Sequence, residues 1–174
     1  MSPVLGKWLS GLFVSGFLAF ASPCVAQPNS GLRVDGIAAP FNKAAERLGL
    51  AVRLALESCK TDKLQACRYA AGTGVGVVSG SMPDRRALRT LSVAAQPDKA
   101  EAVLGGLKFL ATITVLMAIL SPEADRSELD AAAANLLEAV GKKDRLDAEV
   151  MFRGVRYQVM MLPGIGAMAS IERP

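Results

Sequence analysis

Histidine is absent from the whole chain of 174 residues, and aromatic side chains make up only 5% of it. Without histidine the chain cannot form a Ser-His-Asp or Cys-His catalytic site, nor the histidine-containing zinc sites of many enzymes. Tyr69 and Tyr157 are left to stack on nucleobases, and no basic patch is interleaved with aromatic residues, so nucleic acid is not an expected partner. We predict no metal and no cofactor.

Nucleotide-binding motifs are missing as well. Gly72, Gly74, Gly76 and Gly80 are closely spaced, but they match neither the G-x-G-x-x-G pattern nor a P-loop. A phosphate loop follows a strand and opens a helix, whereas these glycines lie within a predicted strand. Glycine in a strand indicates a bulge or the close approach of another backbone, so we expect a structural role.

Paired carboxylates for catalysis are not evident either. Asp125, Glu128 and Asp130 fall on one predicted helix together with Arg126, which is typical of a solvated helix surface. A calcium loop would need alternating oxygen ligands and a closing glutamate. A hydrolase or transferase that uses carboxylates alone therefore stays a minor hypothesis, because no matched acid and base can be named.

The first residues have the pattern of a targeting segment. Lys7 gives a short positive region, Trp8–Ala21 is an apolar run, and small residues precede Gln27 at the −1 and −3 positions. This pattern is typical of a secretory signal peptide over residues 1–26, with cleavage between Ala26 and Gln27. We therefore predict export to the periplasm.

Two other interpretations of this segment stay open. Cys24 could be the acylated first residue of a lipoprotein, although Ala21 and Pro23 do not match the usual lipobox. The segment could also remain as an uncleaved anchor. The formal net charge of +4 is a mild excess that does not by itself indicate a nucleic-acid partner.

Cys59 and Cys67 are the only cysteines that follow the predicted cleavage site. An even pair in an exported chain predicts a disulfide. We expect a helix to end at Cys59 and a strand to begin near Cys67, with a bond that stabilises the fold by about 2–3 kcal/mol. A redox pair would more often be Cys-x-x-Cys at the start of a helix, so the structural role is favoured.

Hydrophobic periodicity predicts three helices and two β-hairpins. The predicted elements are a helix over Phe41–Cys59, a hairpin of 68–79 with 88–95, helices over Pro97–Leu120 and Pro122–Val140, a hairpin of Asp147–Phe152 with Val155–Met161, and a short strand over Ala167–Glu172. The order α-β-β-α-α-β-β(-β) predicts an α+β fold of two layers, in which an antiparallel sheet packs on about three helices. We assign residues 41–174 to this single domain and residues 27–40 to a flexible leader.

The segment Pro97–Leu120 is the centre of this prediction. It carries no charge between Phe109 and Leu120 and has no clean polar face. A helix that is apolar all round is buried in a core or in a bilayer. Its uncharged run is short for a membrane span, and both hairpins need an apolar partner, so we favour the core. An envelope protein anchored by residues 107–120 is the alternative.

Surface features that could bind a partner are few. Arg85, Arg86 and Arg89 lie in one predicted hairpin turn, and Arg153 and Arg156 lie in the other. If both turns lie at one end of the sheet, these arginines form a patch that faces anions, although charged hairpin turns more often serve solubility. The methionines at positions 151, 160, 161 and 168 more often fill gaps in a core, and a soft binding surface is the alternative.

The leading hypothesis is a small, exported, non-enzymatic protein that binds another protein or an envelope component. It depends on the predicted signal peptide, the predicted disulfide and the missing catalytic groups. The membrane-anchored protein and the carboxylate-dependent enzyme are the two alternatives.

We expect the protein in an osmotic-shock fraction to begin at Gln27 and to gain two hydrogens on reduction, because export removes residues 1–26 and the oxidising compartment closes the Cys59–Cys67 bond. Intact-mass measurement with and without reductant checks both points. Recovery in detergent alone would contradict the prediction and point to the apolar helix, or to a lipid on Cys24, as an anchor.

Overall fold

The computed structural model describes residues 31–72, 74–81, 88–95, 102–141, 147–162 and 166–172. Its elements are α1 (Ala38–Leu48), β1 (Ala55–Thr61), β2 (Gln65–Ala70), β3 (Val75–Ser81), β4 (Thr90–Ala95), α2 (Ala102–Leu120), α3 (Arg126–Gly141), β5 (Asp147–Phe152), β6 (Val155–Leu162) and β7 (Gly166–Glu172). The strands form one sheet, and the described helices pack against one of its faces.

The sheet has seven strands in the order β1-β2-β3-β4-β7-β6-β5, and every pair in it is antiparallel. Strands β1 to β4 form one meander, and β5 to β7 form a second. The two meanders meet at the pair β4–β7, where Val93 lies opposite Ala169. The predicted α+β class, with an antiparallel sheet packed on three helices, is confirmed.

The first half of the chain contains four strands where the sequence predicted two. The predicted helix over Phe41–Cys59 is too long, because α1 ends at Leu48 and Gly49 follows in the left-handed conformation. The amide of Gly49 donates to the carbonyl of Glu46, and that of Leu50 donates to Ala45, which closes the helix end. The remainder of the predicted helix contains the connection to β1 and the first five residues of that strand.

The predicted strand 68–79 is likewise divided into two. Gly72 and Gly74 have φ values of 88° and 76°, which residues with a side chain rarely adopt, and they lie in the turn between β2 and β3. The prediction that these two glycines lie inside a strand is therefore wrong. Gly76 and Gly80 do lie within β3.

Helix α2 lies in the core, as predicted. Phe109, Ile113, Leu116 and Met117 are all buried, and the helix contacts β3, β4, β7 and both other helices. Buried Thr112 donates its hydroxyl to the carbonyl of Lys108 at 2.7 Å, so its polar group is satisfied within the helix. Among the described residues, no helix is long and apolar enough to cross a membrane.

Helix α3 begins later than predicted. The sequence predicted a start at Pro122, but the helix begins at Arg126 and the cap is Asp125. Its Oδ1 accepts from the amide of Glu128 at 2.9 Å, and Oε2 of Glu128 accepts from the amide of Asp125 at 2.9 Å. This reciprocal pair is a capping box, which satisfies two amides that the first turn of a helix leaves free.

The second predicted hairpin is confirmed. Strand β5 ends at Phe152, β6 begins at Val155, and the turn consists of Arg153 and Gly154 with φ values of 47° and 73°. Two positive φ values in a two-residue turn match the right-handed twist of the paired strands. The short final strand is also present, as β7.

The predicted disulfide joins Cys59 to Cys67, although both cysteines lie in strands and not at a helix end. They are direct partners across the β1–β2 pair, with a Cα–Cα distance of 4.1 Å. The bond therefore fastens the edge strand β1, whose residues are all exposed, to the rest of the sheet.

The segment before α1 is tied to the sheet by a buried carbonyl. Val34 is fully buried, and its carbonyl accepts from the hydroxyls of Tyr69 at 2.6 Å and Ser79 at 2.7 Å. Burial raises the pKa of the Tyr69 phenol, which keeps its donated proton in place. The sequence predicted a flexible leader over residues 27–40, but residues 31–40 belong to the fold.

We expect Tyr69→Phe to lower the free energy of unfolding by about 1 kcal/mol, because the Val34 carbonyl keeps its second donor. The double variant Tyr69→Phe/Ser79→Ala should cost more than the sum of the single variants, since it leaves a buried carbonyl without a partner. Urea denaturation of the four proteins measures this coupling. Strictly additive losses in the free energy of unfolding would contradict the inference that both hydroxyls donate to the Val34 carbonyl.

Candidate functional site

The face of the sheet opposite the helices is not covered by any described element, and we refer to it as the open face. Alternate residues of β2 to β7 point to it, while most of their neighbours are buried or partly buried on the helix side. Its two middle rows of paired residues are Ala70–Gly76–Ala94–Met168–Met160 and Arg68–Val78–Ser92–Ser170–Gln158.

The middle of the open face has no charge. A sheet face that meets water normally carries long polar or charged side chains, in alternation with the apolar side chains of the core. In the two middle rows the inner strands β3, β4 and β7 present glycine, alanine, serine, methionine and Val78 instead, and Val78 has 43% of its surface exposed. Charged Glu172 lies beyond these rows, at the end of β7. Charged groups lie toward the edges, with Arg68 on one side and Glu149 on the other.

None of the four methionines at positions 151, 160, 161 and 168 is buried, so the prediction that they fill core gaps is wrong; Met151, Met160 and Met168 lie on the open face. Met160 and Met168 are direct partners across β6 and β7 on the open face, and both are partly exposed. Met151 and Met161 are 53% and 41% exposed. Methionine is unbranched and polarisable, which suits it to surfaces that adapt to a partner.

The predicted arginine patch is only partly described. Arg89 precedes β4, Arg153 lies in the turn between β5 and β6, and Arg156 lies at the start of β6. The pairing of Glu172 with both Thr90 and Arg156 places these positions at one end of the sheet. Arg85 and Arg86 lie outside the described residues. The patch therefore stays a prediction.

Two of these arginines already have carboxylate partners. Arg153 donates to both carboxylate oxygens of Glu128, at 2.7 and 2.8 Å, and to Glu123 at 3.4 Å. Arg156 lies 3.6 Å from Glu149. The hydrogen bond with Glu128 raises the pKa of Arg153, so this guanidinium stays charged and engaged within the fold.

A second surface feature is a half-open cavity of about 500 Å³ beside α1 and α2, which we refer to as the basic cleft. It is lined by Asn42 and Glu46 of α1, residues 50–53, Ala71 and Gly72 of the β2–β3 turn, and Lys108 of α2. This volume lies within the range of small-molecule sites, about 300–1,000 Å³.

The wall of the basic cleft is held in place by one side chain. Asn42 accepts from the amide of Leu54 at 2.7 Å and donates to its carbonyl at 3.0 Å, which fixes the chain between α1 and β1. Both ends of the Asn42 amide group are therefore engaged. The neighbouring Val52 and Ala71 are buried and give the cleft an apolar floor.

The charges of the basic cleft are not paired with one another. Within the described part of the chain, neither Lys108 nor Arg53 has a carboxylate within salt-bridge distance, and Glu46 has no cation within that distance. Two cations and one carboxylate thus line the same cavity. Sequence analysis did not single out any of these residues.

Another hollow among the described residues is too small for an organic ligand. A hollow of about 20 Å³ lies between Leu88, Leu120 and Val155, and it could hold little more than a water molecule. No group of three or more carboxylates or cysteines among the described residues could hold a metal ion. Comparison of the chain with protein-family models, curated proteins and solved structures finds no match.

A signal for the open face was present in the sequence. Small and methionine residues alternate with core residues along most of β3, β4 and β7, where long polar residues would be expected on a solvated face. The signal for the basic cleft is weaker: Lys108 is the only charged residue of α2. Neither pattern shows which residues lie side by side until the register is known.

We expect Glu128→Gln to lower the melting temperature at neutral pH, with the difference from the wild type shrinking as the pH falls through the acidic range. The hydrogen bond from the amide of Asp125, together with Arg153, lowers the pKa of Glu128. A carboxylate with a lowered pKa stabilises the fold above its unfolded-state pKa, and this contribution is lost as the group is protonated.

Glutamine at this position retains an oxygen for the capping box, so the comparison isolates the charge. Melting curves of the variant, the wild type and a Glu46→Gln control across the acidic range give the measurement. A difference between Glu128→Gln and the wild type that stays constant with pH would contradict the assignment.

Proposed function

We propose that the protein is an exported, non-enzymatic binding protein of the periplasm that engages a protein partner through the open face. The observation that carries this proposal is the uncharged middle of that face. Glycine, alanine, serine and methionine occupy positions where a solvated sheet face would carry charge.

Two features support export. The pattern of residues 1–26 is that of a cleaved secretory signal peptide. The Cys59–Cys67 bond is compatible with an oxidising compartment, in which disulfides form and persist.

The distribution of charge supports a protein partner. Interfaces between proteins are depleted of charged residues in the middle and are polar at the rim. The open face follows this plan along one row, because Arg68 and Glu149 are its two ends while Val78, Ser92, Ser170 and Gln158 between them are neutral. Exposed Val78 and the Met160–Met168 pair supply the apolar contact.

The size of the open face also suits a specific interface. Strands about 4.8 Å apart and rising about 3.3 Å per residue give a face of roughly 29 by 20 Å for this sheet. That projected area, about 600 Å², is close to the surface of about 800 Å² that each partner contributes to a standard interface.

The shape of the open face indicates what the partner presents. Gly76, Ala94 and Ser92 have little or no side chain, so the backbone of β3 and β4 is accessible from this side. A partner with large apolar side chains would fill these shallow positions. A partner with equally small side chains would leave gaps in which dispersion contacts are lost.

We expect a photo-crosslinking amino acid at Ser92 to form an adduct with a partner protein in cells that export this protein. The variant Ala94→Lys should abolish the adduct, because it places a charge beside Ser92 on an exposed position of β4 without disturbing the core. Ala134→Lys, which adds the same charge to an exposed alanine of α3, should leave it intact. Adducts are identified by mass spectrometry.

Three other outcomes of this crosslinking experiment would overturn the proposal. An adduct with the mass of two copies would make the open face a homodimer interface. Absence of any adduct at Ser92, or an adduct that survives Ala94→Lys, would show that this face does not bind the partner. Gly76→Lys is a second blocking variant, since the nearest atom to its Cβ, apart from chain neighbours, would be 3.8 Å away.

A further inference from the structure

We infer that the basic cleft binds a single-chain amphiphile with an anionic head, of the fatty-acid type. This site is separate from the open face, and its ligand is a small molecule and not a protein. The inference therefore does not depend on the proposed function.

The first observation that supports this inference is the position of Lys108. It is the only charged residue of α2, it is partly buried, and it lines the cleft. A partly buried ammonium group loses hydration, and this loss is normally offset by a carboxylate or by hydrogen bonds. No carboxylate of the described residues lies within salt-bridge distance of it. An anionic ligand would supply the missing partner.

Arg53 lines the same cavity and strengthens its preference for an anion. Its side chain also lacks an ion pair among the described residues, and a guanidinium matches a carboxylate with two parallel hydrogen bonds. Glu46 is the opposing charge, so the cleft carries a net charge of one positive unit when empty. One carboxylate head would neutralise it.

The apolar part of the ligand is indicated by the floor of the cleft and by two exposed leucines. Val52 and Ala71 form the floor. Leu104 lies four residues before Lys108 and therefore on the same face of α2, next to the lysine. Leu104 and Leu107 are 47% and 60% exposed, so exposed apolar side chains lie close to Lys108 on α2, although they do not line the cleft itself.

The combination of two cations with apolar surface favours an amphiphile over a purely polar anion. Two cations recognise the head, while the apolar floor and the exposed leucines would be left in water by a ligand such as acetate. A saturated chain that covers them gains about 25 cal/mol per Å² of apolar surface removed from water. A medium-length alkyl carboxylate such as decanoate meets both requirements.

The experiment is calorimetric titration of the mature, disulfide-bonded protein with decanoate below its critical micelle concentration. Acetate tests the need for the chain, and decyltrimethylammonium tests the sign of the head. We expect saturable binding of one decanoate per protein, no measurable binding of acetate, and binding of the cationic amphiphile at least about ten-fold weaker, since one charge-assisted contact is worth about this factor.

Single substitutions in the cleft then test which side chains contact decanoate. Lys108→Gln and Arg53→Gln should each weaken decanoate binding by about ten-fold, whereas Glu46→Gln should tighten it because the opposing charge is removed. Lys43→Gln, which removes an exposed cation of α1 that does not line the cleft, is the matched control and should change nothing. Arg53 is exposed, so its variant keeps the test valid if Lys108→Gln fails to fold.

Three results would overturn the inference. Equal binding of decanoate and decyltrimethylammonium would indicate adsorption to apolar surface. Undiminished binding by Lys108→Gln or Arg53→Gln, or no gain in Glu46→Gln, would place the ligand elsewhere. Binding to phosphatidylglycerol vesicles without binding of monomeric decanoate would indicate a lipid surface. Ala94→Lys should leave decanoate binding unchanged, which separates this test from that of the open face.

Discussion

Helix α2 packs on the middle of the sheet, against β3, β4 and β7, and it also contacts both other helices. This contact sets the layout of the molecule, because an element that meets neighbours on several sides must be apolar nearly all round. It also brings the two meanders together, since β4 and β7 lie beneath the same helix. With α1 and α3 beside α2 on one face, the described residues provide no cover for the other face. The open face is therefore a direct result of how the core is built.

The elements that sequence analysis predicted well have strong local signals. The turn at Arg153-Gly154 between alternating strands predicts a hairpin, and the long apolar run predicts α2. The first helix was extended too far because Val52, Ala55 and Leu56 continue a helical spacing by chance. Val52 lies in the connection to β1, and Ala55 and Leu56 lie in β1 itself. Gly49 was an available stop signal, since it follows Leu48 as the left-handed residue that closes a helix.

The candidate sites were harder to predict for a physical reason. Both depend on residues that the chain brings together from different elements, such as Arg53 with Lys108, or Gly76 with Ala94 and Met168. Register decides these neighbours, and the extra pair of strands at the start of the sheet changed which residues share a face. Asp125 and Glu128 were predicted to belong to a solvated helix surface. Their spacing of three residues is also the signature of the capping box that they form.

The meeting of the two meanders at β4 and β7 has a consequence for the order of folding. The chain is synthesised from its amino terminus, so β1 to β4 can pair with one another while the carboxyl-terminal strands are still being made. Until β7 arrives, β4 is an edge, and its unpaired amides and carbonyls are a template for strands of other chains. Of the described strands, β7 is the last to be synthesised and also the one that joins the two meanders. A variant that lacks Gly166–Glu172 would therefore lose the joint between the two halves of the sheet.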